Sequence, residues 1–522
     1  MKVLIRTISL SIILLYIYPS SAQLIRSGDL YYQGAFRVPD TQPFEESWNW
    51  GGTAMAFYPW GDPGGGDDGY FGSIFGVGHD WNMMVAEITI PQPVISPSKN
   101  PAELNTAQFL QTFGDVRGGL FPFEEWDLIR VGMAYLPAQG SQVTDKLHLC
   151  WGRHFQFEQE ASHMWCELDL SSPQTAGGWY FGDVTNYVTN DYLFDIPQNW
   201  VDNHIPGQHL ATGRFRDGGW GGQGPALYAY GPWNDGNPPA RDDTLWSYTP
   251  LLLYGIHQPG VAEITNADSM MMDHYKEADE WTGGAWLTAG TNTAVIFVGT
   301  KGVGNCWYGL PDGTVWPDSP PYPDDPMGLR GWWADTFKAQ ILFYDPEELA
   351  AVTDGTLKSY HPQPYDTLDI DSYLFAVDST QQKDHVGAIC FDRNLSNLFL
   401  FERRADDDKP LVHVWNIDCD CAAPVEDNTV RKLSLEQNYP NPFNSQTSIP
   451  YYLPRAAHVT VKIFNDLGEE VTILADGRQT PGSHTVIWDG TDRFGNPLSS
   501  GIFFYRIKIG VTTESRKMLL LK

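Results

Sequence analysis

Ser73–Pro91 reads SIFGVGHDWNMMVAEITIP: a strand (SIFGVG), a polar corner (His79, Asp80, Trp81, Asn82) and a second strand (MMVAEITIP). A further strand, TAMAFY at Thr53–Tyr58, precedes it across a glycine-rich connection. β-Branched and aromatic residues bounded by Gly, Pro, Asn and Asp punctuate strands, not helices.

The same three-part pattern recurs four times. RVGMAYLP (from Arg130) leads to KLHLCWGRHFQF and HMWCELDLSSP; ATGRFRDGG (from Ala211) leads to PALYAYGPWND and PLLLYGI. GAWLTAG (from Gly284) leads to TAVIFVGTKGVGNCW and KAQILFYDP; GAICFDRNLSN (from Gly387) leads to LFLFERRADDDKP and LVHVWNI. First strands therefore begin near 53, 130, 211, 284 and 387, and the third unit matches the template least. Sheet units repeated at a rough period describe a radial or stacked array. The expectation is an all-β chain whose residues 23–417 form a five-bladed β-propeller with long loops. Leu24–Glu46 is expected as an edge strand or closing segment. Pro91–Glu125, Tyr180–Gly207, Asn234–Glu280 and Gly309–Thr336 read as insertions. Helix is expected only at Pro346–Thr353, where Pro occupies the first turn and acidic residues complement the positive end.

The composition agrees with this. Twenty Trp and 51 Gly among 522 residues, with few helical runs, favour a loop-rich β protein. A net charge of −31 repels nucleic acid and anionic membranes, so neither is an expected partner.

The first 22 residues have a basic start, an apolar run from Ile8 to Tyr18 and a Ser20-Ser21-Ala22 ending, the layout of a secretory signal peptide. The apolar run is shorter than the roughly 20 residues of a spanning helix, so no transmembrane anchor is expected in the mature chain. In an exported chain Cys150 and Cys166, on two arms of one hairpin, are candidates for a cross-strand disulfide. GDPGGGDDG at Gly61–Gly69 offers an acidic triplet for a structural calcium, short by itself of the six or more oxygens the ion takes.

Radial geometry would bring two groups of residues to one mouth: those just before each first strand and those just after each second strand. The resulting ligand-binding candidates are His79, Asp80, Arg153, Trp233, Trp281, Lys301, His385 and Arg403. Arg offers a planar fork for carboxylate or sulfate, and Trp a flat apolar face that stacks on sugar rings. Asp127 and Glu280 are candidate general acid and base, because glycoside hydrolysis uses two carboxyl groups across the scissile bond. His154 and His209 are candidate proton carriers or metal ligands. His, Arg and Lys gathered at one mouth of an acidic protein point to an anionic or polyhydroxylated ligand, so the expected partner is an extracellular glycan, acidic glycans included, bound or processed by a glycoside hydrolase or polysaccharide lyase. The alternative is a non-catalytic adhesion or protein-binding propeller.

After a polar linker at 418–432 the composition changes. VTVKIFN, HTVIWDG and IFFYRIKI are short alternating strands of a small β-sandwich. Residues Gln437–Asn444 (QNYPNPFN), Ile463-Phe464-Asn465, Leu467-Gly468, Trp488-Asp489-Gly490, Gly495, Ser500–Tyr505 (SGIFFY) and Lys517-Met518 resemble the type IX secretion sorting domain (type A). The module over 433–522 is also similar to the Ig-like domain of flagellar hook-capping proteins. Ser445-Gln446 stands where that pattern usually carries Pro-Ser. The resemblance implies recognition by a type IX secretion machinery of a Bacteroidetes-like bacterium, and a secreted or outer-membrane surface location. It implies no catalysis.

Overall fold

The computed structural model describes residues 23–40, 46–62, 69–120, 129–154, 156, 158–214, 217–235, 239–325, 328–376, 385–417, 434–435, 437–444, 446–453, 457–465, 468–479, 482–494, 496–509 and 512–522. The signal segment 1–22, the linker 418–432, Asp127 and residues 63–68 of the calcium candidate lie outside the described residues.

Strand β1 (Leu30–Arg37) is followed by five sheets. The first is β2 (Met55–Tyr58), β3 (Gly69–Val77), β4 (Val85–Pro91) and β5 (Phe109–Gly114). The second is β6 (Ile129–Leu136), β7 (Lys146–Arg153), β8 (His163–Cys166) and β9 (Thr175–Phe181). β10 (Tyr192–Asp195), β11 (Leu210–Gly213), β12 (Leu227–Tyr230) and β14 (Tyr248–Leu252) make the third; β13 (Thr244–Leu245), just before β14, pairs in parallel with β9. The fourth is β15 (Glu280–Ala289), β16 (Asn292–Gly309), β17 (Gly331–Tyr344) and β18 (Asp366–Asp369). The fifth is β19 (Val386–Asp392), β20 (Asn397–Asp406) and β21 (Lys409–Ile417), with β1 as its fourth strand. The lead-in segment thus closes the last sheet, antiparallel to β21 from Leu30↔Ile417 to Arg37↔Leu411.

Three expectations are corrected. Each sheet has a fourth strand beyond the three of the template, and the second gains a fifth in β13. In the third sheet Ala211 lies in the second strand; the first is β10, within DYLFD. That segment hid inside an expected insertion because it is short, shows no polar alternation and is followed by a helix, α1 (Gln198–His204). The expected helix α2 (Pro346–Thr353) is present, capped by Asp345, which accepts from the Glu347 N–H at 2.8 Å. The disulfide candidate fails on register. Cys150 faces His163 and Cys166 faces Leu147, an odd offset that sends the two thiols to opposite faces of the sheet, and both are free.

Both faces of these sheets are buried, which is why so many strands read as unbroken apolar runs. Five apolar cores separate the sheets. One lies between the first and second (Phe75, Val85, Leu149, Met164), and one between the second and third (Cys150, Trp179, Leu210, Tyr228). One lies between the third and fourth (Phe194, Leu251, Trp281, Phe297), and one between the fourth and fifth (Ile296, Ile341, Leu400, Trp415). The last lies between the fifth and the first (Trp48, Ile74, Phe399, Val412). The first strands touch in the same cyclic order, β2–β6–β10–β15–β19–β2.

The C-terminal module stacks two sheets. β22 (Ser434–Leu435), β23 (Thr447–Leu453) and β26 (Gly482–Trp488) form one; β25 (Glu470–Gln479), β24 (Ala457–Phe464), β27 (Gly501–Ile509) and β28 (Thr512–Leu520) form the other. Tyr451, Ile463, Trp488, Tyr505 and Met518 fill the core between them, and Trp60 of the first sheet packs against it. The QNYPNPFN motif ties the module's start to its end. The Asn438 N–H donates to the Tyr505 hydroxyl at 2.9 Å, Phe443 N–H to the Leu519 carbonyl at 3.0 Å, and Leu519 N–H to Asn441 Oδ1 at 2.9 Å. No helix among the described residues is long and apolar enough to cross a membrane.

A buried polar triad holds the seam where β1 joins the fifth sheet. Glu402 of β20 accepts from His413 Nε2 at 2.8 Å and from the Phe375 and Ala376 N–H groups, while His413 Nδ1 meets the Tyr32 hydroxyl at 2.9 Å. Burial alone would raise the Glu402 pKa, but the hydrogen bond and charge of His413 and the two N–H donors outweigh it and hold the carboxyl below its ordinary value. A depressed native carboxyl stabilises the fold above its unfolded pKa, and that stability drains as pH falls toward the native value. Glu402→Gln is therefore expected to cost about 3 kcal/mol at neutral pH, since it leaves His413 buried without its carboxylate. It should also flatten the loss of melting temperature expected of the unsubstituted protein below about pH 4.3. Thermal unfolding from pH 3 to 8 checks both.

Candidate functional site

The end of the sheets at which the first strands begin, here the upper end, collects one cation from four of the five sheets. Arg153 ends β7, Arg214 follows β11, Lys301 lies in β16 and Arg403 in β20; the first sheet contributes His79 after β3. Each cation meets a carboxylate. Arg403 donates to Asp80 Oδ2 at 2.6 Å, across the seam between the fifth and first sheets. Lys301 Nζ donates to both oxygens of Asp279, at 2.8 and 2.7 Å. Arg153 Nε donates to Glu160 Oε2 at 3.0 Å. Arg214 Nε lies 3.4 Å from Asp191 Oδ1, with both side chains buried. The arrangement is close to neutral, so the excess of cations expected from the sequence is already balanced by carboxylates.

Arg214 was not singled out by sequence reasoning, although it is the most buried of the four. Its guanidinium donates to the Arg153 carbonyl at 2.9 Å, to Gln156 Oε1 at 3.2 Å and to Asn190 Oδ1 at 3.3 Å, and lies over the Tyr187 ring. The signal was present: with β10 as the third first strand, Arg214 falls in the slot after the second strand that also holds Arg153. The same shift moves two candidates away. His209 precedes β11 and Trp233 follows β12, so both belong to the lower end, where their rings lie 5.7 Å apart and Trp233 packs on Gly140.

Of the remaining candidates, Trp281 is fully buried in the core between the third and fourth sheets and presents no face to a ligand. Glu280, opposite Thr300, is largely buried. His154 follows β7, and the His385 carbonyl accepts the Arg403 N–H at 2.7 Å. Among the described residues no three His, Cys, Asp or Glu side chains cluster as a metal site.

The centre of the upper end is narrow. A cavity of about 20 Å³, lined by Thr53, Val131, Asp191, Thr282, Val386 and Arg403, takes a residue from every sheet. That is room for about one water, so a larger ligand must lie on the surface above it. There, on the first sheet, His79 is buried and its Nδ1 accepts the Trp81 N–H at 3.1 Å. Trp81 is 72% exposed and Trp50 39% exposed, their rings edge to face at 6.4 Å, with His79 against both. Trp50 has φ +58, a left-handed conformation that side-chain-bearing residues rarely adopt. Arg403 holds it there by donating to the Trp50 carbonyl at 2.8 Å and the Gly51 carbonyl at 3.2 Å. β16 and β17 continue past Lys301 as an arm, paired from Gly302↔Phe337 to Gly309↔Gly331. Its Trp332 packs on Gly218, leaving no room for a Cβ there.

A family model described as FlgD Ig-like domain matches residues 441–515. The C-terminal module is thus similar to FlgD Ig-like domains. Solved structures that resemble the chain include the following three. FlgD from P. aeruginosa is 24% identical over 14% of this chain and 57% of that chain, with a TM-score of 0.12. PorZ, a bacterial surface component of the type IX secretion system of Porphyromonas gingivalis, is 10% identical over 90% of this chain and 51% of that chain, with a TM-score of 0.28. Dimeric latent PorU from Porphyromonas gingivalis is 11% identical over 80% of this chain and 36% of that chain, with a TM-score of 0.16. The chain spans a little over half the length of the FlgD structure and about half that of PorZ. No curated protein matches it.

Asp279 carries the clearest electrostatic signature at this end. Burial raises its pKa to about 6, against the opposing charge and hydrogen bonds of Lys301. Lys301→Met removes the opposing charge and should move the Asp279 carboxyl titration above 6, as read by carbon-13 NMR of the side-chain carboxyl; an unchanged or lower value would contradict the assignment.

Proposed function

We propose that the chain is an exported, surface-located five-bladed β-propeller that binds extracellular glycan on its upper face. Three features support the propeller: five cores between successive sheets, a fifth sheet packed on the first, and an N-terminal strand completing the last sheet. The FlgD Ig-like match and the sorting-domain motif support delivery of the propeller by its C-terminal module through a type IX secretion system. The observation that carries the binding assignment is the Trp50–His79–Trp81 cluster. Two exposed indoles beside the narrow centre, one held in a strained conformation by an arginine from another sheet, are a costly arrangement for a surface without a ligand. Flat apolar faces edged by Asp80 and Asn82 suit the alternating C–H and hydroxyl surfaces of a sugar. The neutral charge network around them favours a neutral glycan over the acidic one that the cations alone suggest.

Trp81→Ala should weaken glycan binding at least about tenfold, with little change in melting temperature because the ring is exposed. Affinity electrophoresis in neutral and acidic polysaccharides, with product detection, reads binding, charge preference and hydrolysis together. Unchanged migration of the variant would sink the assignment, and released oligosaccharide would favour a hydrolase over a binding protein. Export is tested separately: truncation after Ile417 should leave folded propeller in the periplasm, whereas normal release would refute a sorting role.

A further inference from the structure

The lower end of the five sheets holds a larger cavity than the upper one. A half-open cavity of about 150 Å³ lies toward the ends of the first strands, lined by Phe57, Tyr135, Phe194, Trp286 and Phe391, one from each sheet. A cavity of that volume is large enough to take one benzene ring. Its polar groups are concentrated on the turn after β19. Arg393 reaches across the fourth and third sheets, donating from one nitrogen to the Trp286 carbonyl at 2.6 Å, from Nε to Asp195 Oδ2 at 2.8 Å and from the other terminal nitrogen to the Asp195 carbonyl at 2.6 Å. Three of its five N–H groups are thereby committed and the guanidinium is held in one orientation. Asp195 also lines the cavity, as does the exposed Asn394.

We infer that this cavity binds a hydroxylated aromatic ring, with the ring among the ends of the first strands and the hydroxyl against the paired Arg393 and Asp195. A phenolic hydroxyl both accepts and donates, so it can take an arginine N–H and give its proton to a carboxylate oxygen. A bare arene offers nothing to the two remaining N–H groups of Arg393, and an arene carboxylate must compete with Asp195 for Arg393 beneath a chain of net charge −31. The site stands on its own residues, at the other end of the sheets from Trp50 and Trp81, so either site can fail without the other.

p-Cresol, toluene, benzoate and N-acetyl-tyrosinamide titrated into the full mature chain, by calorimetry and by ligand-observed NMR, test it. p-Cresol should bind one to one with a Kd near ~1 mM or below, as suits a ligand of its size. It should bind about fivefold more tightly than toluene, the worth of one shared hydrogen bond, and more tightly than benzoate. Asn394→Trp, an exposed rim substitution, should abolish binding with melting temperature unchanged, and Arg393→Lys should bring p-cresol down to the toluene level. Equal binding of N-acetyl-tyrosinamide would point to a tyrosine side chain of a partner; binding of p-cresol alone would point to a free phenol. No saturation by about 10 mM p-cresol, or binding that survives Asn394→Trp, would overturn the site.

Discussion

The N-terminal region depends on one antiparallel ladder, between β1 and β21. Successive sheets can stack on their neighbours using local chain alone, but the fifth sheet is complete only when residues 30–37 return to residues 411–417. That pairing closes a loop of nearly the whole region, an entropic cost that the ladder and the core it completes must offset. Glu402, His413 and Tyr32 lie across this joint, and a buried carboxylate there tolerates little misregistration, because each of its partners comes from a different segment.

Charge organises the upper end in the same manner. Arg403–Asp80 spans the fifth and first sheets, and Arg214 joins the third sheet to backbone and amide groups following β7. These pairs are partly or wholly withdrawn from water, where they fix geometry more than they add stability. The net negative charge therefore resides elsewhere on the body. The C-terminal module, with nine basic and eight acidic residues from 433 to 522, is nearly neutral.

Much of the architecture was legible because glycine, proline and asparagine mark strand ends wherever hairpins are tight, as around His79 and Asn394. The unit starts at 53, 130, 284 and 387 lie within a few residues of β2, β6, β15 and β19. β10 escaped because three apolar residues and an aspartate, without alternation, carry no period to detect. That single omission displaced His209 and Trp233 to the wrong end and concealed Arg214. Trp281 misled for another reason: its place at the start of β15 was right, but alternation along the strand turned its ring into the core. The left-handed Trp50 and the lower cavity leave no mark in the sequence, since both arise from residues brought together by distant sheets.

Leu30 pairs with Ile417, so the two chain ends leave the closing ladder side by side. A pulling force applied between those ends would open the hydrogen bonds one after another, in the manner of a zip fastener, instead of loading them all at once in shear. The joint that completes the body is thus also its mechanically weakest line, and tension transmitted through the tail would start unravelling there.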